Sequence, residues 1–178
     1  MALEHAIMVS LAERPGTGYE LGRQFERSIG YFWSATHQQI YRTLKKLHTD
    51  GLVSFEPVAQ EGRPDKKVYS LSDAGRAALR EWVSTPTPIT HLRDELGVKL
   101  RATEHGDLND MITEMRRQRD LHAARLDLYQ RFQKDDYPDP DGLSGRRLYQ
   151  YLVLRGGIRG EEAFIDWCDE VIDSLTKP

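Results

Sequence analysis

The chain has 178 residues, 39% hydrophobic and 30% charged, a balance that predicts a folded, helix-rich globular protein and excludes a disordered one. Its net charge is −3, unevenly spread: residues 1–85 hold 11 Lys and Arg against 10 Asp and Glu, and the remainder holds 14 against 18. No run of about 18 apolar residues is present to span a membrane, the opening Met1-Ala2-Leu3-Glu4-His5 argues against a secretory signal, and a single Cys168 excludes an internal disulfide and fits a reducing cytoplasm.

Leu3, Ile7, Met8 and Leu11 share a helical face, so a first helix is expected until Pro15-Gly16 interrupts it. Thr17, with Glu20 three residues on, reads as a capping box opening a second short helix through Leu21 and Phe25 to near Gly30. Thr36 is the expected cap of a third helix, which Gly51 ends. Ile40, Leu44 and Leu47 lie on one side of it, and His37, Gln38, Tyr41, Arg42 and Lys45 on another. No acidic residue lies between Thr36 and Thr49. An aliphatic stripe opposite side chains able to bond phosphates and base edges is what a helix in a DNA major groove requires.

After Gly51 the period shifts toward alternation. Leu52 to Val58 and Lys67 to Leu71 predict two strands, and Gln60 to Lys66 between them carries turn formers and cations. The cations of this half cluster at Arg42, Lys45, Lys46, Arg63, Lys66 and Lys67; charge alone leaves DNA contact and ordinary solvation as equal readings. Ser72 is placed to cap a fourth helix, Asp73 to Val83, with Ala74, Ala77, Ala78 and Trp82 as its packing side. Thr85-Pro86-Thr87-Pro88 marks the expected boundary between a domain at 1–85 and another at 89–178.

Beyond it the pattern is helical. Leu92, Leu96 and Leu100 predict a helix ending near Gly106. Asp107 caps a long segment whose apolar seam runs through Leu108, Met111, Ile112, Met115, His122, Leu126, Tyr129 and Phe132 until Pro138 to Gly142 breaks it. A last helix is expected from Leu143 to about Leu175 through Leu148, Tyr151, Leu152, Phe164, Trp167, Val171 and Leu175. Two such stripes need each other and a second subunit for cover. The class expected is mainly α with a small β-hairpin wing: an N-terminal winged helix-turn-helix domain and a C-terminal domain of long antiparallel helices for dimerisation.

The run Gln39-Ile40-Tyr41-x-x-Leu44-x-x-Leu47-x-x-x-Gly51-Leu52-Val53, followed by Gly62-Arg63-Pro64-x-x-Lys67-x-Tyr69-x-Leu71-Ser72-x-x-Gly75, resembles the PadR family of bacterial transcriptional regulators. Gly18-Tyr19-Glu20-Leu21, Phe32-Trp33 and, more loosely, Leu92-Arg93-Asp94-Glu95-Leu96 with Lys99-Leu100 add to the likeness. It implies a homodimeric winged-helix repressor or activator whose C-terminal helices dimerise. Asp65 departs from the pattern, since members often carry a further basic residue in the wing.

Thr36, His37, Gln38 and Arg42 lead the expected DNA-facing set, the last three as candidates for base edges because Arg matches guanine O6/N7 and Gln matches adenine N6/N7. The resemblance gives Tyr41 a backbone phosphate, with plain packing as its other reading; Lys45 adds a second backbone charge. Arg63, Lys66 and Lys67 are expected at a neighbouring minor groove or its phosphates. Tyr19 is either a phosphate donor or a core aromatic. The expected dimer contacts are Leu108, Met111, Met115, Tyr151, Phe164, Trp167, Val171 and Leu175. Trp167, Phe164, Tyr151 and Tyr149 could line a pocket for an aromatic effector, although core or interface packing is the stronger reading. Gly156-Gly157 and Gly160 inside a helix signal close approach, a kink or a break.

Catalysis is not expected. His5, His37, His48, His91, His105 and His122 form no metal-ligand spacing, Cys168 has no nucleophile signature around it, Gly16-x-Gly18 lacks a strand before it and a third glycine, and Glu161-Glu162 and Asp135-Asp136 read as solvated helix surface or helix ends. No cofactor or metal is expected. The expected partners are double-stranded DNA and a second copy of the chain. A winged helix serving only protein contacts would need neither an acid-free third helix nor a basic wing, and a regulator of the multiple-antibiotic-resistance type usually carries dimer helices at both ends.

Overall fold

The computed structural model describes residues 2–27, 35–60, 63–88 and 94–177. It separates into two compact units, Met1–Ile89 and Thr90–Pro178. The first contains α1 (Ala2–Glu13), α2 (Gly18–Arg27), α3 (His37–Thr49), β1 (Val53–Gln60), β2 (Arg63–Leu71) and α4 (Asp73–Ser84). The second contains α5 (Glu95–Arg101), a 3-10 turn (Thr103–His105), α6 (Leu108–Asp136) and α7 (Gly145–Thr176).

In the first unit, Ile7, Met8 and Leu11 of α1, Leu21 and Phe25 of α2, and Ile40, Leu44 and Leu47 of α3 close one apolar core with Val53, Tyr69 and Leu71. Local chemistry sets the helix ends. The Thr17 amide donates to Glu20 Oε2 at 2.7 Å and the Glu20 amide to Thr17 Oγ1 at 3.1 Å, the reciprocal bonds of a capping box. Thr36 and Gln39 do the same for α3. Gly51 takes φ +71° just past α3, a left-handed turn that costs glycine little. Gly30, Phe32, Trp33, Gly62 and Leu92, which carried expectations about the end of the second helix, the family likeness, the hairpin tip and the start of α5, lie outside the described residues.

β1 and β2 pair antiparallel with Val53 opposite Leu71, Phe55 opposite Tyr69 and Pro57 opposite Lys67. The α1–α2 turn fastens the hairpin: the Gly16 amide donates to the Tyr69 carbonyl at 3.0 Å, and the Tyr69 amide to the Gly16 carbonyl at 2.9 Å. Ser72 caps α4, its Oγ donating to the Gly51 carbonyl at 2.7 Å and accepting the Gly75 amide at 3.0 Å.

The packing side of α4 differs from expectation. Ala74 and Ala77 are exposed, and Trp82 is 42% exposed with its ring stacked on His5 at 4.3 Å. Gly75 and Leu79 face the core instead. A Cβ at Gly75 would collide with the Leu52 carbonyl oxygen, so the helix approaches that chain segment through the one residue type that fits.

In the second unit Arg119–Asp169, His122–Glu161 and Arg155–Gln133 join successively later residues of α6 to successively earlier residues of α7 when taken along α6, so the two helices run antiparallel. Leu96, Met111, Met115 and Cys168 form the buried centre, with Leu100, Phe164, Trp167, Val171, Ile172 and Leu175 packed around it. Met115 is 0% exposed and Met111 is also buried, so these two belong to the chain's own core and not to a surface free for a partner, as had been expected. The reason is α5: Leu96 and Leu100 cover the same side of α6 that the seam alone left open. Leu108 remains exposed. Helix α7 runs unbroken past Gly156-Gly157, and a Cβ at Gly157 would stand 3.1 Å from Tyr129 Cε2. Close helix approach therefore accounts for that glycine.

The four aromatics considered for an effector pocket divide. Phe164 meets Trp167 at 5.4 Å, whereas Tyr151 packs on Tyr137 at 5.5 Å and Tyr149 is exposed. Phe164 and Tyr151 are 13 positions apart on one helix, about 20 Å at 1.5 Å per residue, too far to line one small pocket within a chain.

Candidate nucleic-acid interface

Helix α3 keeps its two sides apart. Ile40, Leu44 and Leu47 are fully buried, while His37, Gln38, Tyr41, Arg42 and Lys45 are all exposed on the other side. Thr36 stands at its head, but its hydroxyl accepts the Gln39 amide and lies 3.2 Å from Gln39 Oε1, so its first task is the cap. Arg42 and Lys45 form no ion pair among the described residues. Lys46 does: its ammonium lies 2.9 Å from Glu4 Oε1 and 3.3 Å from Asp50 Oδ2, tying α3 to α1 and to its own end. These hydrogen-bonded carboxylates hold the Lys46 pKa above its ordinary value. Of the three cations on α3, Lys46 alone is held in an ion pair among the described residues.

The exposed face rests on α2 in a way the residue pattern did not reveal. A Cβ at Gly18 would stand 2.9 Å from Tyr41 Cδ1 and Cζ, and one at Gly22 would stand 2.6 Å from His37 Nδ1 and 3.0 Å from Nε2. Two glycines one helical turn apart on α2 therefore seat two rings one turn apart on α3. Tyr19, on the same helix, places its ring 6.1 Å from that of His37 at 23°. At 58% exposed it is no core aromatic. Tyr41 is 50% exposed, with its ring lying over Gly18. The Gly-x-x-x-Gly spacing on the second helix was the available signal.

At the wing, Lys66 and Lys67 are exposed, and Lys67 Nζ sits 4.3 Å from the Phe55 ring centre, a cation over an aromatic face. The backbone of Arg63 pairs with Gln60 across the hairpin. An open cleft of about 1190 Å³ lies between the start of α2, α3 and β2, with Tyr19, Tyr41, Tyr69, Arg14, Arg23 and Lys66 among its lining. The Thr17 backbone hydrogen bond holds the Glu20 carboxyl below its ordinary pKa, with Lys66 adding in the same direction. Burial pushes the Tyr69 hydroxyl upward. Among the described residues no cluster of His, Cys, Asp or Glu could hold a metal ion, and no helix is long and apolar enough to cross a membrane. Cys168 is buried, and burial raises its thiol pKa, as for a packed side chain.

Comparison with known proteins supplies the family. Residues 7–81 match the model of the transcriptional regulator PadR-like family, and residues 92–176 that of the virulence activator alpha C-terminal region. The chain is 49% identical to the probable transcriptional regulator Rv1176c of Mycobacterium tuberculosis, with 98% of each chain covered. It belongs to the PadR family of transcriptional regulators. The negative transcriptional regulator PadR of Bacillus subtilis is 27% identical over 98% of both chains. Among solved structures, the Vibrio cholerae virulence activator AphA matches with TM-score 0.80, 35% identity and 97% of each chain. B. subtilis PadR in complex with operator DNA matches with TM-score 0.88, 27% identity, and 98% of this chain and 99% of that one. The expected mainly α fold with a two-stranded wing and a helical C-terminal region is the fold of these regulators. Both curated relatives are named as transcriptional regulators.

Proposed function

We propose that this PadR-family chain is a cytoplasmic, sequence-specific DNA-binding repressor that acts as a homodimer on an inverted-repeat operator. The observation that carries the reading is the exposed, acid-free face of α3, with His37, Gln38, Tyr41, Arg42 and Lys45 outward and the aliphatic stripe sealed behind it. Its shape and hydrogen-bonding groups suit a major groove, with His37, Gln38 and Arg42 at base edges and Tyr19, Tyr41 and Lys45 at phosphates. Lys66 and Lys67, with Arg63 beside them in sequence, meet the neighbouring backbone. The likeness to a regulator solved on its operator supports this reading.

A twofold pair of such faces about 34–36 Å apart reads two half-sites one DNA turn apart. Leu108, Leu121, Leu152 and Val153 on α6 and α7 are exposed and apolar, and burying them between two copies supplies the association. Repression is the sign carried over from the negative regulator of B. subtilis, which is also solved with p-coumaric acid; we extend to this chain release from DNA by a small aromatic acid. Selection of bound fragments from sheared genomic DNA, with sedimentation of the complex, tests the reading. Enrichment of inverted repeats carrying two chains is expected; a monomer, or no enriched sequence, contradicts it.

A further inference from the structure

Gly18 and Gly22 of α2 lie under Tyr41 and His37 of α3, each glycine meeting one ring. Both glycines are buried, and both rings lie on the outward face of α3. Neither glycine has a positive φ, so backbone conformation does not call for glycine at either place. Glycine inside a helix is otherwise unfavourable relative to alanine. What the two positions share is a ring occupying the volume of the missing Cβ.

Resting on the DNA-binding reading above, we propose that Gly18 and Gly22 are positioning residues: a two-point seat on α2 that fixes where the Tyr41 and His37 rings stand on the DNA-facing surface, and so sets sequence preference. The clash from a methyl at Gly22 falls on a side-chain ring at an exposed position and not on backbone. The ring can swing out, so Gly22→Ala displaces His37 while the fold persists. Its effect is confined to recognition. The atoms nearest a Cβ at either glycine belong to Tyr41 and His37 and not to Arg42 or Lys45, so attraction to DNA of any sequence continues.

The test uses the full chain, a duplex that the wild type selects from sheared genomic DNA, and a scrambled duplex of equal length. Gly22→Ala is expected to weaken binding to the selected duplex by about tenfold, as loss of one base contact does, with binding to the scrambled duplex unchanged and the melting temperature not lowered. His37→Ala should produce a similar loss, and adding Gly22→Ala to it should add nothing. In the DNA-free wild type, a proton contact between Gly22 Hα and the His37 ring should be visible by NMR. Equal discrimination by wild type and Gly22→Ala, additive losses in the double variant, or absence of that contact would each overturn the seat while leaving DNA binding intact. A wild type that selects no DNA would overturn the functional reading and this proposal with it.

Discussion

Gly75 of α4 lies directly against Leu52, with the site of its absent Cβ filled by the Leu52 carbonyl oxygen and, at 2.5 Å, by Leu71 Cδ1. Here the obstacle is backbone, which cannot step aside as an exposed ring can. Gly75→Ala is therefore predicted to destabilise the first unit by about 1–3 kcal/mol, the range for an overpacked site, despite alanine's better helix propensity. Chemical denaturation checks this. A variant as stable as the wild type would show that α4 shifts freely.

Among the described residues Arg42 and Lys45 form no ion pair, where Lys46 is engaged with Glu4 and Asp50. Arg42→Ala and Lys45→Ala should each weaken DNA binding, and each should reduce the slope of log affinity against log salt by about one phosphate contact. Lys46→Ala should reduce the slope less and instead loosen the join between α1 and α3. Titrations at several salt concentrations distinguish the three.

The legibility of this molecule follows the range of the forces involved. Thr17, Thr36, Ser72 and Asp107 act within one helical turn, and all four caps could be read from neighbouring residues. The aliphatic stripe of α3 was equally plain, because a helix with three fully buried aliphatic residues at one spacing has few other ways to turn. The packing side of α4 was not, since it is chosen by the Leu52 carbonyl, a group in the turn between α3 and β1. Met111 and Met115 looked free for a partner because nothing local announces that Leu96 and Leu100 fold back over them. The bond between Gly16 and Tyr69 and the seating of two rings on α2 also depend on contacts between elements.

Glu161 is a buried carboxylate of α7 that bonds His122 Nδ1 and accepts from Arg125 Nη1 at 3.3 Å, with His122 stacked 3.8 Å from Phe164. Replacing it strands polar partners between two helices. Glu161→Ala is predicted to destabilise the second unit by about 1–3 kcal/mol, and Glu161→Gln, which retains shape and one acceptor, by less. Thermal unfolding of the two variants should fall in that order. No loss in either would mean that water replaces the carboxylate without cost.

Glu114 on α6 accepts from Arg117 Nε and Nη2 at 2.8 and 2.7 Å and from Gln118 Nε2 at 2.8 Å. The hydrogen bonds from Arg117, then Gln118, hold its pKa at about 2 against an ordinary 4.5. Because the folded value lies below the unfolded one, the stabilisation is present above about 4.5 and fades as pH falls toward about 2. The difference in stability between wild type and Glu114→Gln should be small at neutral pH, because the pair faces solvent, and should shrink across that window. A difference that grows on acidification would reverse the assigned sign.

In the proposed complex the outward face of α3 enters the groove of a duplex. Amide chemical shifts followed while a selected operator duplex is titrated into the labelled protein test it most directly. The largest changes are expected from His37 to Lys45 and at Lys66 and Lys67, with little at Ile7, Met8 or Met115. Perturbation concentrated on α6 and α7, with α3 unmoved at saturation, would contradict it.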